Sequence, residues 1–414
     1  MTIFRTLLAT SALAASAGAV WAEGHGCGIE SGRINILAND FPALRAVVDR
    51  AETCATGGVE FSSNLTTEHK DIQVAALSAN PAEYTAAIVA NASILPLMNE
   101  GLIRPLDDLV AEHGQNLSPT QLITINGQVM AVAFMANAQH LFVREDILAE
   151  AGIEIPTTYE QVIEAAAAIE EAGIMDDPFA MNTAVGWNLA EEFVNMYLGL
   201  GGEFFEPGTA NVAINNETGI QALEMLSQVN AYADPDFLTF DSNATGALWE
   251  SGELALAVMW GSRGSTILDD EGSTEEVTSN TRLVAAPTVG GGDRPASTLW
   301  WDGFTISANI SDEDAEATFI ALVNGIDPAL MEDHNDKAVW LIEGYQPGPA
   351  AEGVATTAQM GTAPYPMLPY MGLLHTALGN ELAEFMQGTE SAEQALADVE
   401  AAYTTTAREQ GYIQ

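Results

Sequence analysis

The sequence predicts an α/β fold with a largely parallel sheet. Strand-like apolar runs alternate with helix-like spacings between Arg33 and Ala90, which is the pattern of strands joined by helices. The length of 414 residues suffices for two domains or lobes with separate cores. Hydrophobic residues make up 48% of the chain, which excludes wholesale disorder.

The first predicted elements follow in order. Apolar runs predict strands at 33–38, 59–61 and 84–90, and apolar residues at helical spacing predict helices at 43–54 and 70–77. Together these segments form the alternation on which the fold class depends.

Capping signals predict three later helices. Thr158, three residues before a glutamine, opens a helix to about residue 172; Ser311 opens one to about residue 324, and Ser391 opens the last long helix. The glycine cluster from Gly290 is either a loop or a crossover between lobes.

The N-terminus has the features of an export signal. Arg5 precedes an apolar run from Leu7 to Val20, and the run closes on a small-x-small site ending at Ala22. We predict a cleavable signal peptide at 1–22; the alternative is a retained anchor helix, for which the run is short. No later segment is apolar and long enough to span a bilayer.

The chain is strongly acidic. It has 58 acidic and 12 basic residues, a formal net charge of −46, so it should repel nucleic acid and anionic lipid headgroups. The scattered acids indicate either a solvated surface suited to a salty medium or a cation-binding surface, for which Asp234, Asp236 and Asp241 are candidates. Cys27 and Cys54 indicate one disulfide in an exported protein; free thiols are the alternative.

Several chemistries are missing from the sequence. No P-loop, His-Glu-x-x-His motif, Gly-x-Ser-x-Gly elbow or dinucleotide fingerprint occurs, and no carboxylate pair stands apart from the many acids. We therefore predict no catalytic residues, no metal, no cofactor and no enzyme activity.

Five segments in order resemble the extracellular solute-binding proteins of ABC importers, in the sugar-binding branch typified by maltose-binding protein. These segments are 87–93 with 100–109, 125–159, 201–205 with 219–226, 249–260, and 285–288 with 297–306. Ala86-Ala87 replaces the aspartate that usually begins the first of them.

This resemblance implies a two-lobed periplasmic-binding-protein fold, with a ligand cleft between lobes joined by hinge crossovers. We expect the first lobe at 23–138 plus 296–344 and the second at 139–295 plus 345–414. The chain would cross between them near Asn137, Ser297 and Tyr345.

The resemblance also implies a function. The chain would be a periplasmic monomer, without stable membrane insertion, that captures a carbohydrate or polyol and delivers it to the membrane permease of an ABC importer. The alternatives are the same fold binding a compatible solute or an anionic sugar derivative, or a secreted carbohydrate-active enzyme. An adhesion module fits less well, because repeats and a β-rich pattern are missing.

Sugar sites combine aromatic plates with planar polar groups that donate and accept hydrogen bonds. Of the adjacent Trp300 and Trp301, one should face the cleft, and we choose Trp301 with Asp302. Arg263 either binds an anionic substituent or pairs with one of the many acids. The other candidates could instead serve as core residues, turns or caps. The full set of predicted ligand-binding residues is Asn39, Asp40, Phe41, Glu68, Asn91, Ser93, Asn137, Gln139, Trp187, Trp260, Arg263, Trp301, Asp302 and Tyr370.

Overall fold

The structure, a computed structural model, describes residues 27–269 and 271–414. The predicted signal peptide at 1–22 lies outside the described residues. None of the helices in these ranges is long and apolar enough to cross a bilayer.

The strands are β1 (Ser31–Ala38), β2 (Gly58–Leu65), β3 (Ala86–Ala90), β4 (Leu122–Ile125), β5 (Gln128–Asn137), β6 (Gln139–Arg144), β7 (Phe179–Met181), β8 (Leu256–Trp260), β9 (Thr281–Val284), β10 (Trp300–Ile306) and β11 (Val339–Trp340). The helices are α1 (Pro42–Glu52), α2 (His69–Leu77), α3 (Ile94–Asn99), α4 (Asp107–His113), α5 (Glu145–Ala151), α6 (Tyr159–Glu171), α7 (Trp187–Gly199), α8 (Glu217–Asn230), α9 (Ser242–Glu250), α10 (Gly264–Leu268), α11 (Glu275–Asn280), α12 (Asp312–Gly325), α13 (Met331–His334), α14 (Glu352–Gln359), α15 (Met371–Glu381), α16 (Ala383–Met386) and α17 (Ala392–Glu409).

The strands form two sheets, one in each lobe. The first has the order β11-β5-β10-β3-β1-β2, with β4 also paired to β5, and the second has the order β7-β8-β6-β9. In the first sheet β1 pairs in parallel with β2 and β3, whereas β10 is antiparallel to both β3 and β5. The prediction of a largely parallel sheet is therefore wrong, because β10 enters the middle of the sheet from the other lobe in the opposite direction.

The chain passes between the sheets where strands end. β5 ends at Asn137 in the first sheet and β6 begins at Gln139 in the second. The return lies between β9 and β10, and the glycine cluster from Gly290 is an exposed loop within it. After β11 the chain leaves again past Tyr345, and α14 then packs against β6 and β9.

All three predicted capped helices are confirmed. The side chain of Thr158 accepts the backbone N–H of Gln161 at 3.2 Å, and α6 begins at the next residue. Ser311 and Ser391 accept equivalent N–H groups at 3.1 and 3.3 Å at the starts of α12 and α17. These contacts are local, so the sequence alone is sufficient to predict them.

Two apolar clusters form the main cores. One packs α1 and α12 against one face of the first sheet, through residues such as Val47, Phe304 and Phe319. The other packs α7, α8, α15 and α17 in the second lobe, around residues such as Phe193 and Leu378. Each lobe thus has its own core, and this leaves the cleft between them for binding.

Cys27 and Cys54 form a disulfide with a Cα–Cα separation of 5.1 Å. Helix α1 ends at Glu52, two residues before Cys54, whereas the sequence predicted a helix to residue 54. The bridge therefore joins the start of the described chain to the segment just after α1.

The acids proposed as a cation surface have local roles. Asp234 Oδ1 accepts the N–H of Asp236 at 2.8 Å within a turn, and Asp241 Oδ1 accepts the N–H groups of Asn243 and Ala244 at 2.9 Å at the start of α9. These contacts explain Asp234 and Asp241 as turn and cap residues.

Candidate functional site

A cavity of about 290 Å³ lies between the two lobes. Residues from the first lobe and its crossovers that line it are Asn39, Phe41, Thr67, His69, Lys70, Asp71, Ala90, Asn137, Trp300 and Asp302. Residues from the second lobe that line it are Trp187, Asn188, Asp241, Ser242, Asn243, Trp260, Ser262 and Arg263. Both lobes therefore contribute polar groups and aromatic rings to a single space.

Three tryptophans form an aromatic wall. The ring centroids of Trp187 and Trp300 are 5.6 Å apart, those of Trp260 and Trp300 are 5.8 Å apart, and those of Trp187 and Trp260 are 6.2 Å apart. Tyr365 packs on Trp300 at 4.4 Å and His375 on Trp187 at 4.9 Å. Because each ring contacts others, the wall is held in place before any ligand arrives.

Each ring of the aromatic wall stands at the end of an element. Trp187 is the first residue of α7, Trp260 the last of β8 and Trp300 the first of β10. Gly186, just before Trp187, has φ +102°, a conformation that L side chains rarely adopt, and its N–H donates to the carbonyl of Gly379 at 3.2 Å. The turn at Gly186 thus fixes where the Trp187 ring points.

Glu191, fully buried behind the wall, holds Trp300. Its Oε1 accepts the Trp300 indole N–H at 3.1 Å and the Thr298 hydroxyl at 2.6 Å. Burial raises the pKa of Glu191 to about 8, although these two hydrogen bonds oppose the change. Burial also raises the pKa of the adjacent Glu192, whose carboxyl accepts from Gln139 Nε2 at 2.9 Å.

Two cations face the cavity. The Lys70 ammonium lies 3.9 Å from the centroid of Trp187 and 5.7 Å from that of Trp300, which is cation–π distance. Burial lowers the pKa of Lys70 and that of Arg263. Within residues 27–269 and 271–414, neither cation forms an ion pair or a side-chain hydrogen bond by the usual distance limits. The charges of Asp241 and Glu250 favour the charged form of Arg263, but among these residues no carboxylate lies within ion-pair distance of it.

Polar groups surround the aromatic wall. Burial raises the pKa of Asp302 to about 6, with the charge of Lys70 opposing the rise. Asn137 joins the lobes, since its Oδ1 accepts the N–H of Ser262 at 3.2 Å and its Nδ2 donates to the Ser262 hydroxyl at the same distance. Amides, hydroxyls and carboxylates of this kind can bind both the hydrogen and the oxygen of a ligand hydroxyl.

Three helices begin at the cavity. Their first residues or immediate neighbours line it: Lys70 in α2, Trp187 and Asn188 in α7, and Ser242 and Asn243 in α9. The N-terminal end of a helix carries a partial positive charge and free N–H donors. The ends of these helices therefore favour oxygen-rich ligands over cations.

The structure brings half of the predicted ligand-binding residues together in the lining. They are Asn39, Phe41, Asn137, Trp187, Trp260, Arg263 and Asp302. These residues come from five separate segments of the chain.

Four other predicted residues lie outside the lining and have different partners. Asp40 binds Arg45 Nε at 2.6 Å, which holds the pKa of that carboxyl below its usual range. Glu68 is exposed before α2. Asn91 is buried and accepts the N–H of Trp301 at 2.9 Å, while Ser93 accepts the N–H of Ala90 at 3.0 Å. The side chains of Asp40, Asn91 and Ser93 are thus used by the backbone or by an ion pair.

The remaining three predicted residues, which are Gln139, Tyr370 and Trp301, also lie outside the lining. Gln139 is buried behind the wall, bonded to Glu192 and to Asn195 Nδ2 at 3.2 Å. Tyr370 donates to the carbonyl of Thr209 at 2.9 Å and packs on Phe205 at 4.7 Å. Both side chains stabilise the second lobe.

Trp301 packs on the opposite face of the first sheet, against a separate cluster that includes Leu97. Successive residues of a strand point to opposite faces, so Trp300 and Asp302 share the face that Trp301 does not. The choice of Trp301 is therefore corrected to Trp300, and this alternation is a signal that the sequence already contained.

Sequence reasoning also missed Lys70 and its neighbours Thr67, His69 and Asp71. It selected Glu68 from the same segment, but the side chains on either side of Glu68 are the ones that reach the cavity. Desolvation lowers the pKa of the buried His69 to about 4. The scarcity of lysine in the chain was the one available signal for Lys70.

A two-lobed α/β binding protein is the class that these sheets and this cleft define. The chain matches the family described as bacterial extracellular solute-binding protein over residues 59–325. It belongs to that family, as the sequence predicted.

Solved structures share the fold at low identity. T. maritima MalE3 with bound maltose is 17% identical, with a TM-score of 0.78 over 91% of this chain and 100% of that one. An ABC transporter solute-binding protein from Agrobacterium radiobacter K84 in complex with ribitol is 17% identical, with a TM-score of 0.80 over 91% and 99%. One from Agrobacterium vitis S4 with bound D-mannitol is 17% identical, with a TM-score of 0.77 over 93% and 100%. The predicted two-lobed fold is confirmed.

Proposed function

We propose that this protein captures a carbohydrate or polyol in the cleft and delivers it to the permease of an ABC importer, without turning it over. The aromatic wall of Trp187, Trp260 and Trp300 carries the proposal. Indole faces pack on the apolar C–H surface of a sugar or polyol, and the surrounding amides, hydroxyls and carboxylates bind its hydroxyls. The ligands named for the structural relatives, which are maltose, ribitol and D-mannitol, support the same class.

The size of the cavity favours a small ligand. Its volume of about 290 Å³ lies at the lower end of the range of about 300–1,000 Å³ that is typical of ligand pockets. A single sugar unit or a short polyol suits this space better than a long oligosaccharide does.

A quaternary ammonium solute fits the aromatic wall less well. Such ligands need an open aromatic face, because the attraction is between the cation and the ring. Here the ammonium of Lys70 already lies over the ring of Trp187 at 3.9 Å. A cationic ligand there would be repelled by the charge of Lys70, whereas a neutral sugar or polyol would not.

We also propose that the chain is exported to the periplasm and cleaved after Ala22. We further propose that it passes between the two lobes at the three crossovers given above. Mass spectrometry of the secreted protein tests the cleavage, with Glu23 expected as the first residue. Intact Met1 in a membrane fraction would contradict it.

A thermal-shift panel tests the ligand class. Monosaccharides, disaccharides, polyols, glycine betaine and amino acids are added to the purified protein. A ligand that binds only the folded state at a hundredfold excess over its Kd stabilises it by about 2.7 kcal/mol. We expect a sugar or polyol to raise the midpoint. A shift with betaine alone, or product formed on incubation with sugars, would refute the proposal.

Two tryptophan variants locate the site. Trp260→Ala removes a partly exposed ring of the aromatic wall and should weaken the best ligand at least about tenfold, through lost ring contact. Trp301→Ala is the control, because that ring packs on the other face of the sheet. Equal effects of the two changes would argue against the aromatic wall as the binding surface.

A further inference from the structure

Basic side chains are scarce in this chain and most are engaged. The chain has 12 lysines and arginines against 58 acids. Arg33 and Arg408 donate to backbone carbonyls. Those paired with carboxylates are Arg45, Arg50, Arg104, Arg144, Arg282 and Lys337.

The exceptions among the described basic residues are Lys70, Arg263 and Arg294. Arg294 is exposed on the loop that follows Gly290, where water solvates it. Lys70 and Arg263 instead line the cavity, and Lys70 has the indole rings of the aromatic wall as its neighbours. Among the residues that the structure describes, Arg263 has neither an ion pair nor a ring at cation–π distance. An arginine without a partner in a cleft, in a chain so rich in acids, is a group that a ligand can complete.

Arg263 has the charges of Asp241 and Glu250 nearby, but among the described residues neither acid lies within ion-pair distance of it. It ends the turn Gly261–Arg263 after β8, and the lining residues Ser242 and Asn243 place the start of α9 at the same cavity. The acid at that helix start, Asp241, is engaged by its cap hydrogen bonds to two backbone N–H groups. The guanidinium presents a planar set of donors that matches a carboxylate.

Resting on the function proposed above, we propose that the natural ligand is a sugar acid, a polyhydroxylated ring or chain with one carboxylate, and that Arg263 binds the carboxylate. The aromatic wall would then pack on the carbon skeleton, and Asp302 would accept its hydroxyls. A monoanion fits better than a phosphate, because Asp71, Asp241 and Asp302 also line the cavity and would repel a second negative charge.

Matched pairs of ligands test the proposal by calorimetry. The pairs are glucuronate with glucose, galacturonate with galactose, and gluconate with sorbitol, and glucose 6-phosphate is an added probe. For the pair bound best, the acid should bind about 10–100-fold more tightly than its neutral partner, which is the size of a charge-assisted hydrogen-bonded pair.

Three variants test whether Arg263 is the source of the preference for the acid. Arg263→Gln should abolish the preference for the acid over its neutral partner. Arg263→Lys keeps the charge and should retain part of the preference, which excludes a folding defect as the cause. Arg294→Gln removes an unpaired arginine outside the cavity and should change nothing.

Each contrary result would overturn a different part of the proposal. Neutral sugars or polyols that bind as well as or better than their acids would overturn the sugar-acid inference and leave the proposed function standing. If glucose 6-phosphate binds most tightly, the inference that the ligand carries a carboxylate is overturned. A preference that survives in Arg263→Gln but is lost in Lys70→Met would overturn the role of Arg263. No binding by any of these compounds, together with no shift by any sugar or polyol of the thermal-shift panel, would remove the proposed function itself.

Discussion

Replacing Glu191 by glutamine should make stability less dependent on pH. Glu191 is fully buried, and its folded-state pKa of about 8 lies above the ordinary 4.5. Between these values the folded protein keeps a proton that the unfolded chain has lost. The contribution of this proton to stability is therefore complete below about pH 4.5 and is lost as the pH rises towards 8. Glutamine cannot ionise, so the variant should not show this loss.

The size of the effect follows from the two pKa values. At about 1.4 kcal/mol per pKa unit, the wild type should be about 1 kcal/mol less stable at pH 5, and about 3 kcal/mol less stable at pH 7, than if Glu191 never ionised. The amide oxygen can keep the contacts with Trp300 and Thr298, while its nitrogen replaces Oε2, which has no partner. That replacement adds a cost that does not depend on pH.

Urea unfolding at pH 5, 6 and 7 measures the difference between variant and wild type. Relative to wild type, Glu191→Gln should gain about 2 kcal/mol between pH 5 and pH 7. Glu224→Gln, which changes an exposed carboxyl on α8, is the control and should give a nearly constant difference. A constant difference for Glu191→Gln would show that Glu191 does not retain its proton in the folded state.

Three further changes have expected results. Cys27→Ser opens a loop with a sequence separation of 27 and should lower the unfolding free energy by about 3–4 kcal/mol in denaturant, whereas equal midpoints with and without reductant would argue against a Cys27–Cys54 bridge. Asp241→Ala removes the cap of α9 and should cost about 1 kcal/mol in the same assay, with Asp241→Asn retaining most of the stability. Gly186→Ala places an alanine at a φ of +102° and should lower the unfolding free energy by about 1–3 kcal/mol. It should also weaken ligand binding, because the turn orients the Trp187 ring. Wild-type affinity in this variant would show that the turn does not orient that ring.

The parts of the fold predicted from sequence are those determined by neighbouring residues. Thr158, Ser311 and Ser391 each cap a helix through a contact three residues away, so the sequence contains the whole signal. The direction of β10 depends on strands far away in the chain. Its pairing with β3 and β5 reverses the expected parallel order, and no local pattern indicates this.

The site was predicted in part for the same reason. Trp187 and Trp260 stand at element ends and Asp302 lies near the start of β10, where the resemblance places the cleft, and all three line it. Trp300 was missed because two adjacent tryptophans compete for one face, although Asp302 identifies that face by strand alternation. The role of Lys70 depends on where Trp187 lies, and their proximity appears only once α2 and α7 are brought together across the cleft.

The acidic surface and the two cavity cations act at different stages of binding. A net charge of −46 repels an anionic ligand at long range, but at physiological salt the screening length is about 8 Å, so this repulsion acts mainly on the rate of encounter. Inside the cleft, where water is partly excluded, screening is weaker and the nearest charges dominate. Under the sugar-acid proposal, contact with Arg263 therefore offsets the repulsion from the overall charge and from the acids of the lining. An acidic surface is thus compatible with the proposed binding of a carboxylate in the cleft.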